Sequence, residues 1–105
     1  RVFPRTGKRH QIRVHLEHIG HRLLIDPLYN PGAADAGSAG LMLSSFKRGY
    51  RASRDHDERP LIARLTLHAA SLTFEHPSAG RMTILSPLPK DFASAVRALG
   101  KFATP

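Results

Sequence analysis

The chain has 105 residues, enough for one domain with a modest core. Its 41% hydrophobic content fits a water-soluble protein, and the absence of cysteine excludes disulfides and thiolate metal sites. Sixteen Lys and Arg against eight Asp and Glu give a net charge of +8, which points to a polyanionic partner, nucleic acid first. Arginine outnumbers lysine. Its planar fork grips phosphate and stacks on bases, whereas lysine acts as a point charge. There is no signal peptide and no apolar run of membrane-spanning length, so a reducing, cytoplasmic setting fits.

Taken in chain order, Arg1 to Pro4 reads as the end of a strand, and Thr6-Gly7 punctuates it. The next stretch has two periods. Ile12, Val14 and Leu16 alternate as in a strand, while Ile12, Leu16 and Ile19 recur at helical spacing. A helix is the reading adopted for 9–19, with Gly20 where a helix needs a left-handed end residue. Leu23-Leu24-Ile25 reads as a short buried strand or extended segment ended by Asp26-Pro27, and the compositionally loop-like stretch from about 30 to 60 as a variable loop. Leu72 and Phe74 alternate with polar residues, His76 to Gly80 is a turn, and Met82 and Ile84 return, so 72–85 is a predicted β-hairpin. Asp91 is the predicted cap of a last helix whose Phe92, Ala95, Val96 and Leu99 share a face and which Gly100 ends. Helix, strand, hairpin and helix make an α+β unit.

The most informative stretch is Thr6-Gly7-Lys8-Arg9-His10-Gln11-Ile12-Arg13-Val14-His15-Leu16, continuing through Gly20-His21 to Asp26-Pro27-Leu28-Tyr29. It resembles the signature of RluA-type pseudouridine synthases, roughly TGR-x-HQIRVHL followed by GHP-x-x-GD-x-x-Y. Arg64-Leu65-Thr66-Leu67-His68-Ala69, Leu72-Thr73-Phe74-Glu75-His76-Pro77 and Pro89-Lys90-Asp91-Phe92 resemble the family's later pattern in the right order. Three positions depart from it. Arg22 stands where the family has Pro, Ile25 where it has Gly before the Asp, and Asn30 where Gly often follows Tyr. They fall in the turn after the helix.

The resemblance implies a partial pseudouridine synthase catalytic fold, a mixed, mainly antiparallel sheet with flanking helices, and a chain that is its C-terminal portion. It implies isomerisation of uridine to pseudouridine in ribosomal or transfer RNA, with no cofactor and a monomeric whole enzyme. The family attacks a flipped uridine with an Asp in an HRLD-like context, and Asp26, Asp35, Asp55, Asp57 and Asp91 all lack that context. The nucleophile is therefore expected outside this sequence, and the chain alone is expected to be inactive.

Arg13 falls where the family's arginine pairs with the catalytic carboxylate, keeping it ionised and oriented. On spacing alone, Arg13 would instead make an i,i+4 pair with Glu17. Without its Asp, Arg13 is expected to be a buried cation with no partner. Leu67 matches the apolar residue lining the uracil pocket, and plain core packing is its other reading. Lys8 and Arg9 are candidate phosphate contacts or simply solvated charges. His10 and Gln11 match residues that hold the motif in place. Tyr29 reads as packing, and neither it nor Tyr50 is the family's stacking tyrosine.

No metal site is assigned to the seven His. His15, His18 and His21 have no Cys or HExxH pattern beside them, and zinc needs three or four supported ligands. The rival functions are a non-catalytic basic RNA-binding module and an unrelated basic structural protein. An HRLD-like motif preceding Arg1 separates the enzyme from the first. Salt-dependent binding without uridine selectivity would favour the second.

Overall fold

The computed structural model describes residues 1–32, 40–45, 47 and 58–102. Most of the variable loop at about 30–60 lies outside them, as do Asp35, Tyr50, Asp55 and Asp57. The described elements are helix α1 (Gln11–His18), a short 3-10 turn (Leu43–Ser45), strands β1 (Ser71–His76) and β2 (Gly80–Leu85), and helix α2 (Lys90–Phe102).

The helical period wins over the alternating one in α1, within the predicted 9–19. The Gln11 side chain anchors the entry: its Oε1 accepts from the Thr6 hydroxyl at 2.7 Å and from the Lys8 N–H at 3.3 Å. His10 precedes the helix in a left-handed conformation, φ 54°. At the other end Gly20 has φ 79°, its N–H donates to the Glu17 carbonyl, and the His21 N–H donates to that of Leu16. This paired arrangement satisfies carbonyls that the helix end would otherwise leave bare, and it depends on a residue tolerant of positive φ.

β1 and β2 form the predicted antiparallel hairpin, in register Leu72↔Ile84 and Phe74↔Met82 on one face and Thr73↔Thr83 on the other. The threonine hydroxyls meet across the strands at 2.8 Å. Gly80 closes the turn at φ 74°. The His76 Nδ1 accepts from the Ser78 and Ala79 N–H groups, each at 3.1 Å, so the turn is tied by a side chain as well as by backbone.

Sequence expectations are corrected at several points. Arg1 to Pro4 is not a strand, and of the two readings of Leu23 to Ile25 the strand does not hold. Ile25 instead makes one backbone bond, Thr66 N–H to its carbonyl at 3.1 Å, and its own N–H is taken by the Thr66 hydroxyl, so no ladder can propagate. α2 begins at Lys90, which puts Asp91 inside the first turn rather than before it. There Asp91 grips Arg64 through two bonds of 2.9 and 3.0 Å. Gly100 lies within α2, which runs on to Phe102; a single Gly weakens a helix by about 1 kcal/mol but does not stop it. Among the described residues the only sheet is the two-stranded antiparallel hairpin, so they form a small α+β fragment.

The core is small. Among the described residues, Ile62 and Ala95 are the buried apolar side chains, and Asp26 is the buried charged one. Ile62 pairs through backbone with Leu41, and Ala95 is the inward position of α2 beside half-buried Phe92 and Leu99. Val96, predicted on that same face, is 52% exposed. The hairpin leaves Leu72 and Ile84 open to solvent.

Candidate active site

Asp26 organises this site. It is 1% exposed, and both its carboxylate oxygens are hydrogen-bonded. The Arg13 guanidinium meets it side-on, Nε donating to Oδ2 at 2.9 Å and Nη2 to Oδ1 at 2.7 Å. Oδ1 also accepts the Leu28 and Tyr29 N–H groups, both at 3.1 Å. This is the self-capping turn that an Asp forms with the backbone two and three residues on. Asn30 completes it, donating its N–H to the Asp26 carbonyl at 2.9 Å and its side-chain amide to the Leu23 carbonyl at 2.8 Å.

Two local structures therefore place the pair. α1 sets Arg13 on its inward side, and the 26–30 turn sets the carboxylate opposite it. Tyr29, on the same turn, lays its ring against the guanidinium, 5.0 Å from Arg13 Cζ to the ring centroid. Its hydroxyl bonds the His10 Nδ1 at 3.0 Å, with the two rings edge to face. His10, Arg13, Asp26 and Tyr29 form one connected cluster.

The electrostatics follow from this geometry. The Arg13 fork holds the Asp26 carboxyl down to about 2 from an ordinary 3.8; burial opposes the shift, and the two backbone N–H groups assist it. The carboxylate in turn raises Arg13 further above its ordinary value. A depressed carboxyl contributes stability that is complete above its unfolded value of 3.8 and is lost as pH falls through about 2. A carboxyl 13C titration of Asp26 should therefore show a midpoint near 2, and a midpoint near 3.8 would contradict the fork. Asp91 is also lowered, by Arg64, so the titration must be resolved by residue.

The structure corrects two expectations for Arg13. Its partner is not Glu17, which lies nearest Arg22 at 3.8 Å. Nor is Arg13 a cation without a partner, because Asp26 neutralises it. Lys8 and Arg9 stand exposed just before α1, and Gln11 ties the Lys8 backbone to the helix entry. Leu67 is half-buried in the extended stretch before β1. Its neighbour Thr66 bonds Ile25, the residue before Asp26.

The two motif halves thus meet at Ile25–Thr66. Among the described residues no group of three or more His, Asp and Glu could hold a metal. Sequence reasoning missed Asp26 and Tyr29 as partners of Arg13. The signal available was Asp26-Pro27-Leu28-Tyr29 itself, an Asp placed to cap its own turn.

Curated proteins similar to the chain include several RNA pseudouridine synthases. It is 37% identical over 105 residues to the ribosomal large subunit pseudouridine synthase C of Yersinia pestis, covering 99% of this chain and 27% of that protein. The chain is similar to the C-terminal part of RluA-type pseudouridine synthases. It is 39% identical over 93 residues to the ribosomal large subunit pseudouridine synthase D of Pseudomonas aeruginosa, covering 88% of this chain and 25% of that one. An uncharacterized RNA pseudouridine synthase of Helicobacter pylori is 36% identical over 102 residues, covering 97% and 29%. The chain thus spans about a quarter of the length of these relatives, matching the C-terminal part of the family's proteins. No family model matches it. No helix among the described residues is long and apolar enough to cross a membrane.

Proposed function

We propose that this chain belongs to an RNA pseudouridine synthase and supplies the arginine that orients the catalytic carboxylate. The observation that carries the reading is Arg13: it lies in the His10-Gln11-Ile12-Arg13 motif, and Asp26 and Tyr29 fix it from two sides. In the reaction the N1–C1′ bond of uridine breaks and a C5–C1′ bond forms. The C5 proton leaves and N1 gains one, so the atoms balance without a cofactor. The nucleophilic Asp comes from outside these residues, and the chain alone is inactive.

The net charge of +8 supports RNA as the partner. Lys8 and Arg9, exposed at the entry to α1, suit phosphate contacts, and Leu67 suits an apolar wall for the uracil. The names of the relatives favour large-subunit ribosomal RNA over transfer RNA. We read the whole protein as a cytoplasmic monomer.

The test uses the whole protein encoded by the reading frame that contains this chain, incubated with a large-subunit ribosomal RNA transcript. Pseudouridine is read by mass spectrometry of nucleosides. Wild type should form it, and Arg13→Ala should lose at least ~100-fold in rate, the usual scale for removing a positioned charge donor from a reacting centre. Salt-sensitive RNA binding with no pseudouridine would overturn the catalytic reading in favour of a binding module.

A further inference from the structure

Resting on that reading, the geometry points to Asp26 as a positioning residue that turns one edge of Arg13 toward the catalytic carboxylate and tempers its charge. A guanidinium has five N–H donors in a fixed plane. Asp26 takes one on Nε and one on Nη2. Tyr29 lies against the ring-like face, which fixes the plane. Among the described residues no partner takes Nη1, and the Arg13 side chain remains 15% exposed. The terminal edge, Nη1 with the outer hydrogen of Nη2, is the part left for a second acceptor. Its direction is set by the 26–30 turn rather than by the flexible arginine stem.

The arrangement has an electrostatic consequence. Arg13 with Asp26 carries no net charge, so an arriving carboxylate meets a dipole instead of a bare cation. A dipole orients the carboxylate through two hydrogen bonds but stabilises its ionised form less than a lone guanidinium would. The pair has two titratable neighbours among the described residues: Tyr29 on the guanidinium face, and His10 bonded to the Tyr29 hydroxyl. Arg13 therefore serves mainly to aim the nucleophile.

The test is the pH dependence of single-turnover pseudouridine formation by the whole protein. Its acid limb reports ionisation of the nucleophile. Asp26→Asn removes the charge but keeps the shape and one acceptor oxygen for the turn. Its rate should fall at least ~10-fold as the arginine loses its aim, and its acid limb should move to lower pH by roughly half a unit or more as Arg13 becomes a bare cation. Asp26→Glu keeps the charge, so its rate should fall with the acid limb unmoved. RNA affinity should be unchanged in both.

A merely structural role would lower the yield of active protein in both variants and leave the acid limb in place. An unmoved limb in Asp26→Asn, with Arg13→Ala inactive, would overturn this inference and leave the proposed function standing. Should Asp26→Asn fail to fold, an acid limb that shifts down in Asp26→Glu would overturn it as well. Full activity in Arg13→Ala would instead remove the reading on which it rests.

Discussion

Ile62→Ala should cost the whole protein about 2–5 kcal/mol, the range for truncating a buried Ile, Leu or Met side chain. Ile62 is 2% exposed and, with Ala95, makes up the buried apolar core of the described residues. A large core spreads such a loss over many neighbours, and this one cannot. Ile62 also lies beside a groove of about 250 Å³ that it shares with Phe92, Ala95 and Leu99, so the missing atoms enlarge an existing space. Its backbone carbonyl still holds the Leu41 N–H at 2.8 Å, which keeps the substitution from simply releasing the strand-like contact. The measurement is the urea midpoint at unchanged slope. A loss below about 1 kcal/mol would place the effective core elsewhere.

Gly40→Ala acts on the same contact from the opposite side. A Cβ at Gly40 would sit 2.6 Å from the Ile62 carbonyl oxygen, 2.6 Å from the Pro60 Cβ and 3.1 Å from the Ala63 Cα. None of these is the end of a flexible side chain, so the backbone of 60–63 has to shift. Overpacking of this kind costs about 1–3 kcal/mol. Urea unfolding reads it as well, and an unchanged midpoint would mean that the 40–41 and 60–63 segments separate freely. The double variant should not be additive with Ile62→Ala, because both act at one contact.

What could be read from the sequence divides along physical lines. α1, the Gly20 end and the hairpin depend on neighbours within a few residues, and periodicity and turn chemistry report such neighbours directly. Leu23 to Ile25 is apolar enough for a strand, but its partner is Thr66, far along the chain, and that contact is half side chain. No period encodes it. Asp91 looked like a cap because a cap is a local role; its fork to Arg64 bridges separate segments. The site shows the same limit. Arg13 was visible through its motif, while Asp26, the residue that fixes its direction, carries its meaning only once the turn has folded.

The Leu41–Ile62 bridge has one more consequence, for chain length. Together with the Ile25–Thr66 bonds it ties together positions far apart in the sequence, so the two ends of the Leu41-to-Ile62 connection are held. Closure entropy grows only with the logarithm of length, about 0.6 kcal/mol for each doubling. Insertions and deletions between the two anchors are therefore cheap for the protein as a whole, and they leave the spacing of Arg13 and Asp26 untouched. The number of residues between these anchors can change without re-aiming the arginine.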